Sequence, residues 1–245
     1  MKRYGKDHSQ VVRAAATTFY APKQWAAKWR LMDGDRPSVF VCPWSDFFIA
    51  EADEWRNEAW GLMALCSELT FIIPTKRPER IAASLPEDWG KGYLNVWLLV
   101  SCENQEALDM RWPILSDIPA SIRGISAEPL LGPLDMDAYL FCDQCREGPW
   151  APGAIDAPLA NANGGRPWRE CCCSQVDIVI AGCESGPNRR HMAIEWVQRL
   201  AHDCRCAKTP FFLKQMEVNG KLVKMPALDG KVWAQLPIRR PRSDS

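Results

Sequence analysis

Charged and hydroxyl residues stand at the ends of apolar runs throughout this sequence. Ser45 and Asp46 fall near the end of "VFVCPWSDF", Lys76 and Arg77 close "LTFIIPTKR", Glu103 follows "VWLLVSC", and Glu128 follows "IRGISA". Glu184 and Ser185 close "VDIVIAGCES", and Lys214 sits in "PFFLKQ". A carboxylate at the edge of an apolar core is costly unless it meets a cation, hydrogen-bond donors or a ligand. Six runs that turn polar at the same end predict one rim, on which Glu103, Glu128 and Glu184 face Lys76, Arg77 and Lys214 around a pocket. The candidate pocket residues are therefore Ser45, Asp46, Lys76, Arg77, Glu103, Glu128, Glu184, Ser185 and Lys214. The competing reading is that these charges mark where strands reach solvent, or form a structural ring of ion pairs.

A second constellation is made of thiols. Cys142-x2-Cys145 has the spacing of a metal knuckle, and Cys171, Cys172 and Cys173 follow in the same Gly/Pro/Ala-rich stretch. Two thiolate pairs suit a tetrahedral zinc ion, with Cys142, Cys145, Cys171 and Cys173 as the expected ligands. Such a site would order a segment that has little core of its own. Reduced, unliganded cysteines in a loop are the alternative.

The elements that must position the rim are strands. The apolar runs are nearly continuous rather than alternating, which suits strands covered on both faces of a parallel sheet. Their starts at 39, 69, 96 and 122 lie about 26 to 31 residues apart, enough for a right-handed βα crossover. Helix-compatible segments fall between them at 53–69, 78–85, 104–115 and 193–207. The fold class expected is α/β, a parallel (βα) partial or closed barrel of the radical-SAM/TIM type with a Cys-rich insertion, and a doubly wound open sheet is second. In such folds ligands bind at the C-terminal ends of the strands, where the polar residues stand. The organisation expected is an irregular segment over 1–38, a barrel domain over 39–238 interrupted by an insertion at about 134–175, and a disordered basic tail over 239–245. Asn219-Gly220 and Asp229-Gly230 are hairpin signals.

Bulk composition narrows the function classes. Lys plus Arg and Asp plus Glu stand at 30 each, so no global field draws the chain to nucleic acid or an anionic membrane, and any such contact must be local. The apolar runs are too short to span a bilayer and "MKRYGKDHSQ" lacks a signal-peptide core, so the cytoplasm is expected and a membrane partner is not. The 11 cysteines are scattered as well as clustered, which reads as a reducing compartment rather than a disulfide framework. Most of the 12 tryptophans read as core and interface fillers rather than base-stacking platforms. No Walker loop, dinucleotide fingerprint or serine-hydrolase elbow occurs, and the three histidines lack metal-ligand spacing.

In order, "VCPWSDFF", "TKRPERI", "VSCENQ", "ISAEPLLGP", "GCESGPNRR", "PFFLKQMEVNGK" and "LDGKVW" resemble a phage- and prophage-associated family related to radical S-adenosylmethionine proteins, the phage gene-product thirty-seven/sixty-eight type. The resemblance covers roughly residues 5–238. It implies a radical-SAM-like barrel, a [4Fe–4S] cluster on three closely spaced cysteines, S-adenosylmethionine at the open iron, and a bacterial host-cell or phage setting. This sequence has no C-x3-C-x2-C arrangement, and three thiolates are needed to hold such a cluster with one iron free. Leu99 and Cys183 stand where relatives tend to have glycine, which would obstruct a cofactor's close approach to the backbone.

Two functions follow as expectations. One is an enzyme modifying a nucleic acid or nucleotide, with its cluster segment upstream or lost and a phage-encoded or mobile-element protein as partner. The other is a non-catalytic barrel acting as a zinc-stabilised binding or accessory module. Basic groups at "TKRPER", "PNRR" and "IRRPR" could contact phosphates, although each is also an ordinary solvated cluster.

Overall fold

The structure, a computed structural model, describes residues 11–32, 36–141, 176–186 and 188–237. Its centre is a seven-stranded sheet in which the strands lie in chain order: β1 Ser38–Phe40, β2 Thr70–Thr75, β3 Val96–Ser101, β4 Ile122–Ala127, β5 Ile178–Gly182, β6 Phe211–Val218 and β7 Lys221–Lys224. The first six run parallel, and β7 returns antiparallel beside β6 through the left-handed Asn219-Gly220 turn. A separate two-stranded ribbon, β8 Ala227–Leu228 with β9 Lys231–Val232, closes on Asp229-Gly230.

The expected closed or partial (βα) barrel of the radical-SAM/TIM type is corrected here. The sheet is a curled half-barrel: β1 and β7 are its two ends, and β7 is an antiparallel edge that no barrel of repeated βα units would contain. The doubly wound alternative fails too, because unbroken chain order has no reversal point.

Helical coverage is also thinner than the spacing suggests. Two helices, α1 Ala16–Phe19 and α2 Ala21–Trp29, precede β1 in the stretch read as irregular. The β1–β2 crossover carries α3 Asp53–Leu65, the β3–β4 crossover carries α4 Gln105–Ser116, and the β5–β6 crossover carries α6 Ile194–Cys206. After β4 comes the short α5 Asp137–Leu140. The helix expected over 78–85 is replaced by two 3-10 turns, Pro78–Arg80 and Ala82–Ser84. Tertiary bonds explain the change. Trp60 Nε1 donates to Ser84 O at 2.7 Å and Trp89 Nε1 to Pro119 O at 2.6 Å, while the Trp60, Trp89 and Tyr93 rings pack together over this connection.

The two faces of the sheet carry different cores. The helix-covered face holds the large cluster, including Phe71, Ile73, Leu98, Val100, Ile125 and Val179. The concave face holds a small one, Ile72, Trp97, Leu99, Ile122, Ile178 and Ile180, flanked by Phe40 and Phe212. Register sets these residues in rows: Ile72, Trp97 and Ile122 are partners, and so are Pro74, Leu99, Gly124 and Ile178. A side chain at Gly124 would bring its Cβ within 2.6 Å of Ile178 Cγ2 and Ile178 O, and within 3.3 Å of Leu99 Cγ. The absent side chain lets the second row close up, so the half-barrel interior is filled.

Pro74 is tolerated for a reason visible in the ladder. Thr70 N donates to Pro37 O and Ile72 O accepts from Val41 N, so alternate residues of β2 face β1. Pro74 faces that same side beyond the last paired residue of β1, where its missing N–H breaks no bond.

Candidate functional site

All six parallel strands end on one side, and the polar residues that follow them form a rim there. Each is held by an identifiable contact. Asp46 lies in the loop after β1, and its buried carboxylate accepts from Phe48 N at 2.9 Å, Thr75 Oγ1 at 2.8 Å and Lys76 N at 2.8 Å. Arg77 approaches the same carboxylate at 3.4 Å. The loop is anchored from beneath by Arg56, which donates to Phe47 O and Ile49 O, and by Arg80, which donates to Phe48 O. Asp46 therefore ties the first strand's loop to the end of the second.

Glu103 stands two residues past the end of β3, and Asn104 then caps α4 by accepting from Ala107 N at 2.9 Å. Lys76 Nζ donates to Glu103 Oε1 at 2.9 Å and Arg111, from the second turn of α4, donates to Glu103 Oε2 at 2.9 Å. Burial raises the Glu103 carboxyl, but the hydrogen bonds from Lys76, Arg111 and its own backbone together outweigh that and leave it lowered.

Glu128 ends β4, and both its oxygens lie 2.9 Å from Lys214 Nζ of β6. The Glu128–Pro129 peptide is cis. The chain then crosses the strand ends, Leu130 N donating to Gly182 O and Leu131 N to Glu103 O, so the segment after Glu128 bridges β5 and β3. This is why an apolar strand terminates in a charge: the carboxylate is the acceptor for a lysine on β6, and the backbone behind it seals the helix-side core.

Glu184 follows β5 and is gripped by Arg190, whose backbone N and Nε reach Oε2 at 2.9 and 3.0 Å and whose Nη2 reaches Oε1 at 2.7 Å. These bonds, the side-chain one foremost, hold the Glu184 carboxyl down at about 2. Arg190 is raised in turn by Glu184, and to a lesser degree by Glu103, so the β3 and β5 ends lie within one another's field. Ser45 and Ser185 are exposed in the same loops.

Three rim residues are additional to those named from sequence. Arg111 is hidden in a helical pattern, Arg190 sits in a basic run that reads equally well as a solvated cluster, and Trp44 is one of many tryptophans. Trp44 is 71% exposed, two residues before Asp46 in the loop after β1. The only sequence signal for it is its place inside a strand-end motif.

The interior beneath the rim is closed. Leu99, Ile180 and Trp97 are buried on the concave face, and Leu99 occupies the space that a glycine would have left open.

Among the described residues Cys42, Cys66, Cys102, Cys183, Cys204 and Cys206 are unbridged, and no three His, Cys, Asp or Glu side chains converge as a metal site. Burial pushes Cys42 up to about 11 and Cys102 to about 12, and moves the other four the same way. The six described thiols do not offer the three converging cysteines that a [4Fe–4S] cluster needs. The zinc quartet Cys142, Cys145, Cys171 and Cys173 lies outside the described residues.

Over residues 1–237 the chain matches the family described as protein of unknown function DUF5131. The chain belongs to that family. No curated protein and no solved structure matches it. Among the described residues no helix is long and apolar enough to cross a membrane.

Proposed function

We propose that this chain is a binding module that receives a nucleotide or a single-stranded nucleic acid at the strand-end rim. The observation that carries the reading is the set of solvent-reachable cations at one end of the sheet, Lys76, Arg77, Lys214 and Arg190, with Trp44, 71% exposed, in the loop after β1 at that end. A nucleobase needs a face to stack on and its phosphate needs mobile cations nearby, and sequence-tolerant binders combine these two features. Among the described rim residues named above, five cations, counting Arg111, stand against four carboxylates, Asp46, Glu103, Glu128 and Glu184. That leaves one positive charge on a chain whose total is zero.

Binding is favoured over chemistry by the state of the rim groups. Glu103 and Glu184 are both shifted downward by their cations, and the thiols nearest the strand ends, Cys102 and Cys183, are shifted upward. Groups held firmly charged or firmly neutral are suited to recognition, whereas proton transfer uses groups poised near the working pH. The filled concave interior supports the same conclusion, because a ligand must lie across the mouth.

The test is fluorescence anisotropy with a labelled mixed-sequence single-stranded DNA, competed by unlabelled RNA of the same sequence and by ATP. Binding that weakens with salt and falls roughly tenfold in Trp44→Ala, a stacking contribution of about 1–3 kcal/mol, is the expected result. Absence of binding to all three at low salt sinks the reading.

A further inference from the structure

We infer that Arg190 is the phosphate-contacting group of the rim and that Arg189, its neighbour, is a positioning residue that aims it. The inference rests on the nucleotide-binding reading above and assigns separate duties to two adjacent arginines.

The two side chains are used in opposite ways. Arg189 is only 16% exposed at its side chain and is fully engaged: its guanidinium pairs with Glu217 on β6, donates to Gly186 O at 2.9 Å and to Gly220 O at 2.7 Å. Gly220 belongs to the turn between β6 and β7, so Arg189 pins the chain after β5 onto the outer hairpin. Arg190 is 60% exposed at its side chain, and its acceptor Glu184 leaves part of the guanidinium facing solvent. A planar fork with unused donors is the arrangement that takes a phosphate oxygen pair.

The backbone makes the coupling direct. Arg190 N donates to Glu184 Oε2, so the main chain at 190 and the carboxylate that orients its side chain form one closed unit. Fixing residue 189 to the hairpin therefore fixes where that unit stands relative to Glu103 and Lys76. Released from Gly220 and Glu217, the arginine pair would keep its charge and lose its aim.

Salt dependence counts the phosphate contacts, and the double variant separates the two duties. The slope of log affinity against log salt counts cations that neutralise phosphate, and losing one contact lowers it by about one. Labelled single-stranded DNA is titrated against wild type, Arg190→Ala, Arg189→Ala, Glu217→Gln and the Arg189→Ala/Arg190→Ala double variant. Each is first checked for an unchanged circular dichroism spectrum. Arg190→Ala is expected to weaken binding roughly three- to fivefold and to reduce the slope by about one. Arg189→Ala is expected to weaken it comparably and to lose a similar share of the slope, because a misaimed Arg190 no longer neutralises phosphate, Glu217→Gln to follow it in part, and the double variant to lose no more affinity or slope than Arg190→Ala alone.

Additive losses in the double variant, in affinity or as a second unit of slope, would make Arg189 a contact in its own right and overturn the division. If Arg189→Ala unfolds, Glu217→Gln carries the test, and an affinity unchanged from wild type refutes the positioning role. A wild type that binds while Arg190→Ala is indistinguishable from it removes the phosphate contact and leaves the rim reading standing. A wild type that binds nothing removes both.

Discussion

The Lys214 ammonium lies 4.2 Å from the centre of the Phe40 ring, although Phe40 is on β1 and Lys214 on β6. In a flat sheet, five strand spacings would part these positions by roughly 24 Å. The contact shows how far the sheet curls: its first and sixth strands meet through side chains, with no hydrogen-bond ladder between them. The same ammonium holds both oxygens of Glu128, so one lysine closes the seam and neutralises the rim.

Replacing Lys214 by Met keeps much of the stem over Phe40 but leaves the Glu128 carboxylate, largely buried, without its cation. Urea unfolding should show a loss of about 1–3 kcal/mol. Adding Glu128→Gln to Lys214→Met should restore part of it, because the uncompensated charge is then gone. A Lys214→Met protein as stable as wild type would mean that the seam is held elsewhere.

Gly124 should tolerate no side chain. Its Cβ would sit 2.6 Å from a backbone oxygen, Ile178 O, in the adjacent central strand, and neither strand can withdraw without breaking the parallel ladder. Gly124→Ala is expected to cost about 2 kcal/mol or more, read as a fall in the denaturant midpoint. An alanine variant with an unchanged midpoint would show that the sheet flattens easily there.

The strands were legible because "VWLLVS" and "IVIAG" are continuous apolar runs that only a doubly covered strand explains, and both are buried along their whole length. Closure was not legible, because spacing reports crossover length and says nothing of whether the ends pair. Phe40, Phe212 and Lys214, which determine the curl, look like ordinary edge residues in sequence. The helix expected at 78–85 failed for another reason: the Trp60 indole, distant in the chain, takes the Ser84 carbonyl, and Trp89 at the end of the same connection is tied to Pro119 O, also distant in the chain. At the rim, the strand-end carboxylates stand out as charges after apolar runs. Arg111 and Arg190 carry no such contrast, being cations in polar segments, and their roles come only from where α4 and the β5 loop deliver them.

Asp46 is the joint between the first two strand ends, and its three donors cannot all be satisfied by a shorter side chain. Asp46→Ala strands Phe48 N, Thr75 Oγ1 and Lys76 N, which should cost about 2–4 kcal/mol. Asp46→Asn retains one acceptor oxygen and should fall between. Hydrogen exchange offers a local readout: amides of Phe48 and Lys76 should lose protection ahead of those in β3. Uniform protection in Asp46→Ala would contradict the assignment.

Acid should loosen the β5 end through Glu184. Its carboxyl is held at about 2 in the folded chain, below the ordinary glutamate value of about 4.3. A depressed folded pKa contributes stability that is complete above the unfolded value and disappears as pH falls through the folded one. The Glu184–Arg190 contribution should therefore be constant from neutrality to about pH 5 and decline between about pH 4.5 and 2. Both partners are partly open to solvent, so added salt should shrink the effect. Glu184→Gln should be less stable than wild type at pH 7, and the difference should narrow across that acid window. A gap between the two proteins that stays the same down to pH 2 would show that Arg190 does not hold this carboxylate in its charged form.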